Sequence, residues 1–386
     1  MLYDFDTIPH RRGTDCAKWD HYDEDVLPLW VADMDFRSPE PVIRLLAQRV
    51  EHGFFGYPNE YKHVTDLNDA VVDWLAQRHQ WQVQPEDLVF LPGVVTAFDL
   101  ACHTLKPARR GVLVQTPVYP PMLDAAKNTR RLPQEMQLTR LEDGSYAIDW
   151  EAFESAFTEK TGLFILCNPH NPTGRVFRRD ELERMAEICL SRGALICSDE
   201  IHADLVYSGH QHIPIASLDP EIARHTITLM APSKTFNLAG LQCSFAIIPN
   251  QSLRRRYVAS SKGLVSWVNL FGRTAALAAY REGRSWLDQL LVYLQGNRDF
   301  MYSYIKAEMP QLSLARPEGT YLAWLDCRPA NLPVNPYEFF LENARVALGD
   351  GRLFGPGGDD FVRLNFGCPR SILEEALSRM KMSLNG

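Results

Sequence analysis

From about residue 85 onward, short apolar runs alternate with helical patterns, and this alternation constrains the fold more than any single residue. The runs lie at 88–91, 111–115, 163–167, 194–197, 226–230 and 243–248. Each is short and largely apolar, and each reads as a strand. Helical patterns such as 180–190 lie between some of them. Strands alternating with helices predict an α/β fold, a mostly parallel sheet covered by helices. Three of the runs lead into polar clusters: Asn168-Pro-His-Asn-Pro-Thr-Gly174, Asp199-Glu-Ile-His202 and Ser233-Lys-Thr-Phe-Asn-Leu-Ala-Gly240. Open α/β sheets bind ligands beyond the carboxyl ends of their strands, which is where these clusters fall.

The outer segments read differently. Residues 1–40 show little periodicity and predict an irregular arm. Within it Trp30-Val31-Ala32 suits an extended piece near a pocket, or equally a tucked apolar segment. Asp33 and Asp35 have no histidine or cysteine nearby, a poor transition-metal set, and backbone hydrogen-bonding roles are expected for them. Ser38 as N-cap and Pro39 at the first helical position start a helix that runs over 42–52 and stops at Gly53. Gly56-Tyr57-Pro58 predicts a turn. A second helix is expected over 63–79, with Leu67, Val71, Trp74 and Leu75 on one face. A long helical stretch at 283–308 leads to strands at 320–326 and 360–366 and helices at 336–347 and 370–383. The expected division is a large domain over 40–285 and a smaller α+β domain made of 1–39 and 286–386.

Composition narrows the function classes. The chain of 386 residues is long enough for two domains, and its 46% apolar and 23% charged residues are those of an ordinary soluble protein. A formal net charge of −8 argues against a nucleic-acid surface. No run approaches the ~20 apolar residues of a membrane span. The first residues lack the basic and apolar regions of a signal peptide. Eight cysteines are scattered without CxxC spacing, and Cys167, Cys189, Cys197 and Cys243 read as small core residues. The reduced cytoplasm is the expected compartment.

The three polar clusters, in this chain order, resemble those of the fold-type-I pyridoxal-phosphate enzymes, the aspartate aminotransferase superfamily. Pro28-Leu-Trp-Val-Ala-Asp-Met-Asp-Phe36, Cys167-Asn-Pro-His-Asn-Pro-Thr-Gly-Arg-Val-Phe177 and the Ser233–Gly240 cluster are similar to the MalY/PatB-type cystathionine β-lyases. The resemblance covers nearly the whole chain, up to Arg363. It implies pyridoxal 5'-phosphate as cofactor and a homodimer whose substrate is a small amino acid.

It also implies roles, residue by residue. Lys234 is the lysine that holds the cofactor covalently and then acts as base at Cα. Asp199 partners the ring nitrogen; Glu200 beside it has the same chemistry, and the resemblance puts the role on Asp199. Asn171 donates to the phenolic oxygen, and His202 takes the place of a tyrosine common in transaminases. Gly93, Val94 and Val95 begin a helix whose N–H groups suit a phosphate, with Ser233 adding a hydroxyl. Tyr119 stacks on the ring and is, with Lys234, assigned to catalysis. Arg363, in an apolar run, needs an anion if buried and is matched to the substrate carboxylate, with Trp30 and Val31 beside it. Tyr57 reaches the phosphate of the neighbouring subunit. One departure stands out: relatives carry a phosphate-binding arginine some eight residues after the lysine, and here the chain reads Leu241-Gln242-Cys243. Lys262 or another residue must substitute, or the phosphate is held with less cationic help. The implied reaction is a β-elimination yielding a thiol, pyruvate and ammonia. A broad-range aminotransferase shares every early step, and a regulatory protein retaining the fold is the reading from another class.

Overall fold

The computed structural model describes residues 2–59 and 65–386. Its central sheet has seven strands: β1 (Leu88–Leu91), β2 (Gly111–Thr116), β3 (Leu132–Gln137), β4 (Thr161–Cys167), β5 (Leu195–Asp199), β6 (Thr226–Met230) and β7 (Ser244–Ile247). Their spatial order is β1-β7-β6-β5-β4-β2-β3. Strand β7 is antiparallel to both neighbours and the other pairings are parallel. The cause is visible in β4, where all seven residues are buried. Leu163, Ile165 and Cys167 pack into a core with Phe98 and Tyr257, while Phe164 and Leu166 pack oppositely with Phe153 and Met185. Side chains alternate between two dry faces, so the strand shows no polar alternate position. Strand β3 is the exception. Its sequence Leu-Pro-Gln-Glu-Met-Gln is largely exposed and pairs on one side with β2. A proline and polar residues are tolerated there because it is an edge.

A second, three-stranded antiparallel sheet has Phe361–Asn365 at its centre, between Leu322–Asp326 and Gly349–Asp350. The N-terminal segment returns to this region: Leu27–Pro28 pairs in parallel with Val346–Ala347. The chain then runs on as a strap. The N–H of Asn365 donates to Leu29 O (3.0 Å) and that of Asp35 to Gly367 O (2.9 Å).

Several local expectations are corrected. The first helix, α1, is Glu40–His52, and its cap position is Pro39, not Ser38. The Ser38 hydroxyl donates instead to Asn237 O at 3.0 Å, tying the strap to the loop beyond β6. Gly53 ends α1 at φ 77°, as glycine readily does. Residues 53–59 are irregular and mostly exposed, with no turn at Gly56-Tyr57-Pro58. The second helix, α2, spans Asp66–His79 and is capped by Thr65 with Asn68; the expected start at 63 lies outside the described residues. The helix expected over 336–347 stops early. Pro336–Phe339 continues as a wide turn over Phe340–Ala344, Arg345 takes φ 53°, and Val346 and Ala347 are strand.

Asp33 and Asp35 make the expected backbone hydrogen bonds, their N–H groups donating to Val31 O and Gly367 O (both 2.9 Å), and their side chains add ion pairs. The buried Asp35 carboxylate accepts from Lys18 Nζ (2.7 Å), Trp19 Nε1 (2.8 Å) and Arg11 Nη1 (2.9 Å). Arg11 also donates to Asp33 (2.7 Å). These contacts fasten the strap to the arm before it. Neither Lys18 nor Asp35 has an exposed side chain, so removing one leaves the other charged and dry. Asp35→Ala is expected to lower stability by about 3–5 kcal/mol in urea denaturation. The double change Lys18→Met with Asp35→Leu should cost less than Asp35→Ala alone; an equal or larger loss would show that the charge left behind is not the cause.

Candidate active site

A cavity of about 640 Å³ opens at the carboxyl ends of β1, β4, β5 and β6, roofed by the strap and by Arg363 of the small sheet. The candidates named from the sequence line it except Tyr57, Glu200 and Lys262: Trp30, Val31, Gly93, Val94, Val95, Tyr119, Asn171, Asp199, His202, Ser233, Lys234 and Arg363.

Lys234 sits on a one-turn helix, Pro232–Thr235, directly after β6. Its Nζ donates to Ala32 O of the strap at 2.6 Å. Burial pulls the amine down to about 8, with Arg363 adding to the fall and Asp33 and Asp199 opposing it. Asp199 is the last residue of the adjacent strand β5 and accepts from the Ile201 N–H (3.1 Å). Burial raises its carboxyl to about 7, against the opposing Ile201 hydrogen bond, with neighbouring Glu200 adding to the rise. Glu200 itself points elsewhere. It accepts from Ser198 Oγ (2.8 Å), His212 Nε2 (2.8 Å) and the Ile215 N–H (3.2 Å), and it does not line the cavity. Consecutive strand-end residues face opposite ways, so one carboxyl serves the cavity and the other the interior.

Arg363 lies in the central strand of the small sheet, opposite Gly349. A Cβ on Gly349 would come within 3.2 Å of Arg363 Cβ, so glycine leaves room for the guanidinium to reach the cavity. Its Nη1 donates to Asn171 Oδ1 (3.1 Å) and its Nη2 to Trp30 O (2.7 Å), while Nε is buried without a partner. Burial lowers this cation to about 10. A buried guanidinium satisfied by neutral oxygens is a poised anion site. His202 is buried, its Nδ1 lacks a partner, and burial holds the ring down at about 3, so it is neutral. Burial also raises the Tyr119 hydroxyl, which stays protonated.

Gly93 is the N-cap of the helix Val94–His103 and supplies no capping side chain, so the first-turn N–H groups are left for another acceptor. Ser233 shares this cavity, as do three residues the sequence reading passed over: Thr96, Gln242 and Ser244. Gln242 stands eight residues past Lys234, where an arginine was missed; the spacing was the available signal. Lys262 lies in a separate groove beside Trp267 and does not line the cavity. Tyr57 is 89% exposed, edge-on to Trp267 at 5.4 Å. Tyr321, which the sequence reading placed in a strand without a role in the site, donates its hydroxyl to Ala32 O at 3.0 Å.

An amine of lowered basicity, a carboxyl, an amide, an aromatic ring and an uncapped helix start fit a flat heteroaromatic ring with an aldehyde and a phosphate arm. Comparisons agree. The family model for class I and II aminotransferases matches residues 24–380. The cystathionine β-lyase PatB of Bacillus subtilis is 41% identical over 99% of this chain and 100% of its own. Protein MalY of Escherichia coli is 34% identical over 98% and 97%. The crystal structure of cystalysin from Treponema denticola, which contains pyridoxal 5'-phosphate, matches with a TM-score of 0.94 at 33% identity, over 100% of this chain and 99% of its own.

A lysine is nucleophilic once deprotonated, so the lowered value has a direct readout. In cofactor-free protein, labelling of Lys234 by an amine reagent should rise with pH about a midpoint near 8. Peptide mapping that gave a midpoint near the ordinary ~10.4 would show the amine to be solvated.

Proposed function

The chain belongs to the class I and II aminotransferase family, and we propose that within it this protein is a pyridoxal-phosphate-dependent C–S β-lyase. It cleaves L-cystathionine or a related cysteine S-conjugate to a thiol, pyruvate and ammonia. One observation carries the reading: Lys234, Asp199 and Arg363 converge on one cavity in a chain similar end to end to a cystathionine β-lyase.

In this reading Lys234 would hold the cofactor, Asp199 would partner its ring nitrogen, and Asn171, with His202 beside it, would serve its phenolic oxygen. Tyr119 covers the ring. Ser233 and the N–H groups at Gly93, Val94 and Val95 take the phosphate. When bound, pyridoxal phosphate would supply an electron sink for the pair left at Cα, the chemistry that loss of a thiolate from Cβ requires. The chain's own groups do the rest. Arg363 exchanges the Trp30 carbonyl for the substrate carboxylate in a two-point clamp. That clamp fixes Cα relative to Lys234. The neutral form of Lys234, reached as pH rises through about 8, accepts the Cα proton at Nζ. A cation beside Asp199 lowers its carboxyl from about 7, so it is charged when occupied. The neutral Tyr119 hydroxyl remains a donor beside the reacting atoms, and the strap with Trp30 and Val31 shuts out water.

Three further proposals follow. Tyr57, Phe54, Phe55 and Trp267 expose aromatic surface outside the cavity, and such a patch suits burial against a second copy. The working unit is then a homodimer of twice 44.0 kDa, with Tyr57 reaching the neighbouring phosphate. The large domain spans 40–285 and the small one 1–39 with 286–386. Among the described residues no helix is long and apolar enough to cross a membrane, and all eight cysteines are free and buried; the cytoplasm is the proposed compartment.

Product analysis of cofactor-loaded protein with L-cystathionine decides the reaction. The expected outcome is homocysteine, pyruvate and ammonia without any keto acid; turnover that requires a keto acid and yields a new amino acid makes it an aminotransferase. Lys234→Ala should abolish turnover. Arg363→Ala should raise KM about thirtyfold or more, as loss of a buried charge pair worth ~2 kcal/mol or more requires. An unchanged KM would remove the clamp. Sedimentation should give the dimer mass.

A further inference from the structure

Asp204 lies outside the cavity, five residues beyond Asp199 in the turn that follows β5. It is buried, yet four donors converge on it. Its carboxylate accepts from Thr235 Oγ1 (2.9 Å), Trp74 Nε1 (3.1 Å) and His79 Nε2 (3.1 Å), and its main-chain oxygen from Arg78 Nη2 (3.1 Å). Burial pushes the carboxyl up, but His79, Arg78 and Thr235 outweigh that and hold it below its usual range.

Thr235 is the neighbour of Lys234 on a helix of one turn, Pro232–Thr235, whose cap residue Ala231 offers no side-chain bond. A single turn has too few internal hydrogen bonds to fix its own rotation. Its setting must come from outside. The Thr235 hydroxyl supplies one tether, to Asp204. Phe236 supplies a second by packing against Trp74 at 5.6 Å between ring centres, and the Trp74 indole donates to the same carboxylate. Asp204 thus joins three elements: helix α2, the turn that follows Asp199 and carries His202, and the turn that carries Lys234.

We propose that Asp204 is a positioning residue for the reaction, acting through Thr235 to fix the Lys234 amine against Asp199. The inference rests on the lysine role given above. The side chain of Lys234 is a long lever, so a small rotation of its one-turn helix moves Nζ by a much larger distance. A misplacement of about 1 Å at a reacting group can cost ~100-fold in rate.

Thr235→Val tests this, because it removes the hydroxyl and keeps the shape. Three quantities are compared with the parent, loaded with pyridoxal phosphate: the melting temperature, the pH midpoint at which the visible band of the lysine-bound cofactor titrates, and kcat and KM for cystathionine. The proposal expects a melting temperature within about 5 °C of the parent, one lost hydrogen bond to a carboxylate being worth ~1.5–3 kcal/mol. It expects the midpoint to move by about half a unit or more and kcat to fall about tenfold or more, with KM within about twofold. Thr235→Ser, which restores the donor, should return both to parental values. An unmoved midpoint and kcat in Thr235→Val, or no rescue by serine, overturns the proposal. Should the valine protein not fold, Thr235→Ala is read by the same criteria. The band titration needs no substrate, so it decides the positioning role even if the parent does not cleave cystathionine, an outcome that would sink the lyase reading alone.

Discussion

Two cations, Lys234 and Arg363, stand in one cavity, and among the described residues no carboxylate pairs directly with either; the main chain of the strap answers both. Lys234 donates to Ala32 O and Arg363 to Trp30 O. Leaving such donors unanswered costs more than any one of these bonds returns, so the strap has to lie where it lies. The rest of the architecture follows from holding it there. Leu27 and Pro28 pair with the small sheet, Asn365 spans the strap with bonds to Val31 O (2.6 Å) and Asp33 O (2.8 Å), and Asp35 is locked by Lys18 and Arg11. The two sheets are thereby held across one cavity, one presenting Lys234 and Asp199, the other Arg363.

Burial explains which elements were legible in the sequence. The runs that became β1 and β6 are read without error because the apolar run ends where the strand does, and in β6 every residue is buried. Strand β3 was invisible for the opposite reason: four of its six residues are exposed, and its conformation comes from pairing with β2. The helix expected over 336–347 failed at Arg345, where a left-handed residue turns the chain so that Val346 and Ala347 can meet Leu27 and Pro28. That partner lies more than three hundred positions away and leaves no local trace. Ser38 resembled a cap because caps are local devices, but Asn237, which claims its hydroxyl, belongs to the other half of the chain.

The site was legible where a strand end delivers a side chain into the cavity, as with Asp199, Asn171 and Lys234. Recognition by likeness supplied Arg363 and Tyr119, whose own surroundings read as apolar. What no pattern carried was the support behind these groups. Asp35 depends on Lys18 and Trp19 in an aperiodic arm, and Asp204 on Trp74 and His79 of α2. Such contacts form between segments remote in sequence, and each residue alone reads as an ordinary acid or an ordinary core aromatic.

The strap meets both cations through carbonyl oxygens, and every residue type offers a carbonyl oxygen. The side chains at 30 and 31 therefore take no part in those two bonds, although they form part of the cavity wall. Mutational drift at these two positions can reshape that wall without disturbing the amine or the guanidinium. The fold thus separates what must stay constant from what can vary, and a change of substrate range need not begin with a loss of chemistry.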